Sequence, residues 1–142
     1  MVSILHVKWI LLPAEKKVIA TPFPKFFNYG EVEIWDSEQH DGDILALEKL
    51  DGSLGIVYHH SGEWHCATRG AFDSEQAMWA KTWLNNNIDT NALEKDHTYL
   101  FEIIYPENRI VVSYDYEGMV LLSAYCLNMI RTVCMTSQSR SM

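Results

Sequence analysis

The chain has 142 residues, about the length of one domain with one hydrophobic core. Its composition, 48% hydrophobic and 21% charged, is that of a globular protein and argues against extensive disorder. The formal net charge of -8 argues against a protein that binds nucleic acid through a broadly basic surface, so any such contact must be local.

Short β-type segments separated by turn residues dominate the first half of the chain. They are Trp9 to Leu12, Val18 to Ala20, Ile44 to Glu48, Leu54 to Tyr58 and Trp64 to Thr68. The Ser-Gly pair in "HHSGEW" predicts a hairpin turn between the last two segments. A mainly antiparallel arrangement is therefore expected.

A single helix is predicted in "DSEQAMWAKTWLNNN", where Asp73 or Ser74 can cap and apolar residues recur at helical spacing up to the asparagine run. Three β runs follow it: "HTYLFEIIY", then "RIVVSY" after a turn at Pro106 to Asn108, and then "MVLLSAY". The fold class predicted is α+β, with a mainly antiparallel sheet and few helices.

The three cysteines, Cys66, Cys126 and Cys134, show neither a CxxC motif nor a Cys/His spacing typical of metal ligands. Their odd number suits a reducing compartment, and buried thiols are expected. The N-terminal apolar run lacks a small-residue cleavage site, and no apolar run reaches the ~18 to 20 residues of a membrane helix. These features predict a soluble, cytoplasmic protein.

The stretch "LEKLDGSLGI" places Lys49 two residues before an Asp-Gly pair. On a strand from Ile44 to Glu48, two leucines and Lys49 would share a face, which leaves the lysine in an apolar setting at the strand end. A nucleophilic lysine must be neutral, and apolar surroundings or a nearby cation favour that form. Asp51-Gly52 would supply a tight turn that a phosphate can approach. A solvated lysine in a charged hairpin is the alternative, and the motif alone favours it.

Two further features contain residues suited to binding a ligand. Glu102 in "YLFEIIY" shares a strand face with Leu100 and Ile104, and an ionised carboxylate there needs a polar partner such as a sugar hydroxyl. The alternative is an edge-strand glutamate that faces water. The loop-like stretch "ATPFPKFFNYGE" combines aromatic rings with a lysine, which suits a base and its phosphates, or else a loop that anchors the core.

Taken together and in order, these motifs resemble the N-terminal, nucleotide-binding part of the T-even phage RNA ligase family, which includes the ligase domain of fungal tRNA ligases. The resemblance runs from about Val18 to Ala124. It includes "PFPKFFNYGE", "EKLDGSL" as the KxDG nucleotidyltransferase motif, "TRGAFDSEQAMWA", "TYLFEIIYPENRIVVSY" and "GMVLLSA". The implied fold is a partial nucleotidyltransferase domain of ATP-grasp-like ligase type, with residues 1–125 as its N-terminal part and residues 126–142 as an atypical tail.

The resemblance implies ATP-dependent joining of RNA with 5'-phosphate and 3'-hydroxyl ends through a lysyl-adenylate. Mg²⁺ is implied as the ion that neutralises the pyrophosphate leaving group. Lys49 matches the lysine that attacks the α-phosphate of ATP. The residues that match nucleotide-binding positions are Lys25 and Phe27 of "PKFFN", Gly52 of the KxDG motif, Arg69 of "TRG", and Glu102 as the motif III acid.

The chain also departs from the family pattern. The family needs a later EGxV glutamate and a KxK lysine pair, yet no lysine follows Lys95 in these residues. "EGMV" begins at Glu117, only 15 residues after Glu102, and aligns better with a family strand that follows a solvated turn. Two hypotheses therefore remain. One is an RNA ligase represented by a shortened chain, and the other is a noncatalytic nucleotide-binding or interaction module derived from a ligase.

Overall fold

The computed structural model describes residues 10–12, 17–24, 47–68 and 71–128. Within these ranges, six strands and one α-helix follow one another along the chain. They are β1 (Ile10–Leu12), β2 (Lys17–Ala20), β3 (Ser53–His60), β4 (Glu63–Thr68), α1 (Glu75–Asn87), β5 (His97–Ile104) and β6 (Gly118–Cys126), with single 3-10 turns at Thr90–Ala92 and Pro106–Asn108.

Four of the strands form one antiparallel sheet in the order β4-β3-β5-β6, and β1 pairs with β2 in a separate antiparallel ribbon. The predicted α+β class is therefore confirmed. The predicted hairpin is also present, because Ser61 and Gly62, with φ of 52° and 87°, turn the chain from β3 into β4. Positive φ values are what a two-residue hairpin loop favours.

The helix α1 forms where the sequence predicts it. Ser74 caps it, since the serine hydroxyl accepts a hydrogen bond from the backbone N–H of Ala77 at 3.2 Å. Ala77, Ala80 and Leu84 are buried, and the asparagine run forms the last helical turn. No helix in the described part of the chain is both long and apolar enough to cross a membrane.

Apolar side chains cover both faces of the four-stranded sheet. One cluster joins α1 to the sheet: Val57, Trp64, Cys66, Ala80, Leu84, Phe101, Ile103, Tyr105 and Met119. The other joins β2 to the opposite face: Ile19, Ala20, Ile56, Tyr58, Ala67 and Leu100. Because alternate residues of a strand point to opposite faces, Glu102 falls on the β2 side with Leu100.

The prediction of a strand at "RIVVSY" is wrong. Residues 109–114 belong to no strand, and β6 pairs with β5 directly from Gly118. Ile110 and Val111 remain 61% and 72% exposed. The β-branched composition of this segment favours a strand, but the backbone N–H groups of Val111 and Val112 donate to the carboxylate of Asp51 instead.

The predicted strand 44–48 is not formed in its described part. Residues 47 and 48 lie in no strand, and residues 44–46 lie outside the described residues. The side chain of Leu47 is 79% exposed, so it does not provide the apolar setting expected for Lys49. This segment approaches β3 as irregular chain and does not form a hairpin with it within the described ranges.

Candidate active site

Lys49 lies on the surface immediately before β3. Its side chain is exposed, and its positive charge acts on the carboxyl groups of both Asp51 and Glu102. Within the described ranges it takes part in no hydrogen bond or ion pair. The lysine is therefore solvated, as the alternative interpretation expected, but it lies beside two carboxylates.

Gly52 connects the start of β3 with the end of β5. Its backbone N–H donates to Oε1 of Glu102 at 2.8 Å. A Cβ atom at this position would overlap the carbonyl oxygen of Ile103 and lie 3.2 Å from Cγ of Glu102. Glycine thus permits the close approach of the two strands, and the contact brings together two motifs separated by 50 residues.

Glu102 lies in an interior strand, since β5 is flanked by β3 and β6. The alternative of an edge-strand glutamate is therefore wrong. Its side chain is half-buried, and this burial raises the pKa of the carboxyl group; the hydrogen bond from Gly52 and the charge of Lys49 lower it in part, whereas Asp51 raises it. Because burial disfavours the ionised form of this carboxyl group, a polar or charged partner would stabilise it.

Asp51 holds the segment that follows β5. Its Oδ2 accepts hydrogen bonds from the N–H groups of Val111 and Val112, each at 2.7 Å. Its own N–H donates to the hydroxyl of Tyr114 at 2.9 Å. The backbone donors of Val112 and Val111 lower the pKa of Asp51, and Lys49 adds a smaller effect in the same direction. Asp51 therefore positions the loop next to Lys49.

Asn108 is a second positioning residue that the sequence did not single out. It is buried, its Oδ1 accepts from the hydroxyl of Ser53 at 2.8 Å, and its Nδ2 donates to the carbonyl oxygen of Ile103 at 2.8 Å. The 3-10 turn is thereby fixed to the beginning of β3. The sequence marked only a turn here, and no spacing in it connects Ser53 with a residue so distant along the chain.

Of the six residues proposed from the sequence, Lys49, Gly52 and Glu102 come together at one end of the β3 and β5 pair. The other three, Lys25, Phe27 and Arg69, lie outside the described residues. A groove of about 980 Å³ lies elsewhere, along the exposed side of α1 between Trp79, Trp83 and Glu117. Its lining contains no residue of the KxDG motif, so it is a separate surface groove.

The described side chains at this site do not by themselves fit Mg²⁺. Asp51 already accepts two backbone hydrogen bonds on one oxygen, and Glu102 accepts one from Gly52. Within the described ranges, no group of three His, Cys, Asp or Glu ligands lies here. Mg²⁺ commonly binds through one or two carboxylates together with substrate phosphates and waters. Most of its ligands would therefore have to come from outside these side chains.

Comparison with known proteins assigns the family. A family model described as RNA ligase matches residues 10–140, and the chain therefore belongs to this RNA ligase family, the T-even phage type that its motifs resemble. It is 32% identical to a putative RNA ligase of Thermovibrio ammonificans over 111 residues, which cover 74% of this chain and 29% of the relative.

Two viral relatives agree with that assignment. The chain is 30% identical to a putative bifunctional polynucleotide kinase/RNA ligase of Autographa californica nuclear polyhedrosis virus, over 69% of this chain and 18% of the relative. It is 23% identical to an RNA ligase of Rhodothermus phage RM378, over 75% of this chain and 33% of the relative. The chain thus spans a third or less of the length of the curated relatives that it matches.

Proposed function

We propose that this chain is the nucleotide-binding part of an ATP-dependent RNA ligase, in which Lys49 becomes adenylated. The observation that carries the proposal is the hydrogen bond from Gly52 to Glu102, which holds the KxDG motif against the motif III acid beside an exposed lysine. Family membership supports it. In this proposal residues 1–125 are the N-terminal part of the adenylyltransferase domain, and residues 126–142 are a tail.

In the proposed first step, the neutral amine of Lys49 attacks the α-phosphorus of ATP. A phosphorus–nitrogen bond forms, the bond from the α-phosphorus to the bridging oxygen breaks, pyrophosphate leaves, and the amine proton passes to solvent. Exposure of Lys49 leaves its amine accessible to a phosphate. The charge of Lys49 also acts on the carboxyl groups of Asp51 and Glu102, which is consistent with a lysine that lies near both motifs.

Glu102 is proposed to recognise the nucleotide. One of its oxygens accepts from Gly52, and we propose that the other accepts a ribose hydroxyl, which would offset the cost of its burial. By the family match, Lys25, Phe27 and Arg69 are proposed to contact the nucleotide as well. Mg²⁺, which the resemblance implies, would supply neutralising charge for the pyrophosphate, with most of its ligands from outside the described side chains.

The proposed substrate is RNA with 5'-phosphate and 3'-hydroxyl ends. Support comes from the relatives, whose names describe RNA ligases. The formal net charge of -8 requires that basic contacts with RNA be concentrated in a small part of the surface.

The adenylation test uses the full chain with ATP and Mg²⁺, followed by intact-mass measurement. We expect the mass to increase by one AMP, and we expect Lys49→Ala to abolish the increase. Lys95→Ala is the matched control, because Lys95 is another exposed lysine and lies before β5, at the end away from Glu102; this variant should keep the adduct. An adduct that persists in Lys49→Ala would overturn the assignment of the nucleophile.

A noncatalytic nucleotide-binding module is the second candidate function, because Asp51 and Glu102, the carboxylates near Lys49, already accept backbone hydrogen bonds and do not by themselves fit Mg²⁺. Removal of one group that stabilises developing charge in a transition state costs ~2.7 to 4 kcal/mol. Absence of any adduct from neutral to alkaline pH, with ATP binding still measurable by calorimetry, would favour this candidate over the ligase for this chain.

A further inference from the structure

A cluster of potential metal ligands lies at the other end of β5 from Glu102. Asp96, His97 and Cys126 each offer one ligand atom, and these atoms all lie within 4.8 Å of one another. It is the one group of three or more such residues found across residues 10–12, 17–24, 47–68 and 71–128. His97 and Cys126 are direct partners in the pairing of β5 with β6, and Asp96 immediately precedes β5.

The sequence pattern does not predict this cluster, for a physical reason. Cys126 follows His97 by nearly thirty residues, so no short Cys/His spacing exists, and only the strand register brings the two side chains together. Cys126 was also expected to be buried, and that expectation is wrong, because the structure leaves it partly exposed. Cys66, by contrast, is buried as expected, and Cys134 lies outside the described residues.

The distances within the cluster suit a single ion. Nδ1 of His97 lies 2.8 Å from Oδ1 of Asp96, and Sγ of Cys126 lies 3.7 Å from Oδ2 of Asp96. Tetrahedral Zn²⁺ with bonds of about 2.0 to 2.3 Å requires ligand atoms that are roughly 3.3 to 3.8 Å apart. The cluster needs only a small opening between the imidazole and the carboxylate to reach that geometry.

The surroundings hold the ligands in place and leave them accessible. The N–H of Leu127 donates to the carbonyl oxygen of Asp96 at 2.8 Å, and Nδ2 of Asn128 donates to Oδ2 of Asp96 at 3.0 Å. The imidazole of His97 stacks on the ring of Tyr99, with centroids 6.0 Å apart and planes at 29°. The side chains of His97 and Asp96 are 28% and 45% exposed, so a solvated ion can reach them.

We propose that Asp96, His97 and Cys126 form a Zn²⁺ site that joins the start of β5 to the end of β6. A mixed set of nitrogen, oxygen and sulfur ligands is typical of Zn²⁺, whereas Mg²⁺ and Ca²⁺ take oxygen ligands. Binding removes the thiol proton of Cys126 and replaces the hydrogen bond between Asp96 and His97. Three protein ligands leave the fourth position for water or another ligand. This site is independent of adenylation at Lys49.

The test is titration of the full chain with Co²⁺, followed by competition with Zn²⁺. We expect a thiolate-to-cobalt charge-transfer absorption that Zn²⁺ abolishes. Cys126→Ser should remove the absorption, and Asp96→Asn and His97→Asn should each weaken binding by about tenfold or more, since even outer-shell changes cost 10 to 100-fold. Cys66→Ala and His60→Gln are matched controls, a thiol and an imidazole that lie outside the cluster, and both should retain binding.

A second measurement does not depend on the folding of any variant. Zn²⁺ should slow alkylation of Cys126 by iodoacetamide in the unmutated chain, with modified sites located by mass spectrometry. Absence of the cobalt–thiolate absorption, its persistence in Cys126→Ser, or alkylation of Cys126 that Zn²⁺ leaves unchanged would each overturn the proposal. None of these results bears on the adenylation test, which is read out on Lys49 with Mg²⁺.

Discussion

Gly52 lies where a side chain has no room, between the start of β3 and the carbonyl oxygen of Ile103. We expect Gly52→Ala to destabilise the fold by about 1 to 3 kcal/mol, as overpacking does, and to reduce adenylation because Glu102 is displaced from the KxDG motif. Urea unfolding and intact-mass measurement check the two effects. Gly55→Ala is the control, since its new Cβ would meet Cδ1 of Ile103, the end of a flexible side chain, at 2.9 Å. Equal losses in both variants would contradict the argument.

Glu102 is predicted to lower stability at neutral pH. Because burial raises its pKa in the folded state, the folded chain binds this proton more tightly than the unfolded chain does. This tighter proton binding stabilises the folded state fully at a pH below the pKa that Glu102 has in the unfolded chain. The stabilisation is lost as the pH rises through the pKa that Glu102 has in the folded chain. Glu102→Gln keeps an oxygen acceptor for Gly52, so this variant should be more stable than the parent at pH 7.

The expected gain is less than about 1 kcal/mol, because solvent reaches much of the half-buried Glu102 side chain and screens its charge. The difference should disappear below about pH 4, where both side chains are neutral. Urea unfolding of both proteins at the two pH values provides the check. A glutamine variant less stable than the parent at pH 7 would show that the hydrogen bond from Gly52 outweighs the cost of burial.

At the scale of elements, the loop after β5 depends on one carboxylate. Asp51→Ala should remove the protection of the Val111 and Val112 amides from hydrogen exchange, since its Oδ2 accepts from both. Because these hydrogen bonds lower the pKa of Asp51, the ionised carboxylate stabilises the folded state at a pH above the pKa that Asp51 has in the unfolded chain. This contribution is lost as the pH falls through the pKa of Asp51 in the folded chain. Amide exchange measured by NMR at neutral pH reports the change.

Asp115→Ala serves as the control for that loop. Asp115 is exposed and lies in the same segment, but it is not one of the groups that bind the Val111 and Val112 amides. Protection at both amides should therefore survive its removal. Unchanged protection in Asp51→Ala would indicate that the loop is held by other contacts.

At the scale of the whole molecule, stability depends on the two apolar layers that cover the sheet. Leu84 has no exposed surface and lies in the layer between α1 and the sheet. We expect Leu84→Ala to lower the free energy of unfolding by about 2 to 5 kcal/mol, through lost burial and the cavity left behind. Met78→Ala on the same helix is the control, because Met78 is 64% exposed. Urea unfolding should show little change for that variant.

Local chemistry explains which elements were predictable. The cap at Ser74, the Ser61-Gly62 turn and the strand β5 depend on neighbouring residues, and all three are confirmed. The segment 109–114 misled prediction because its β-branched residues favour a strand in isolation. Its backbone donors bind Asp51, about sixty residues away, and local composition carries no signal of that contact.

The sequence by itself determined the antiparallel α+β class, the position of α1 and the motifs around Lys49, Gly52 and Glu102, since these follow from short-range patterns. Only the tertiary structure decided that Gly52 donates to Glu102, that β5 is interior, and that His97 meets Cys126. The reason is strand register, which sets two distant residues opposite each other without leaving a spacing in the chain.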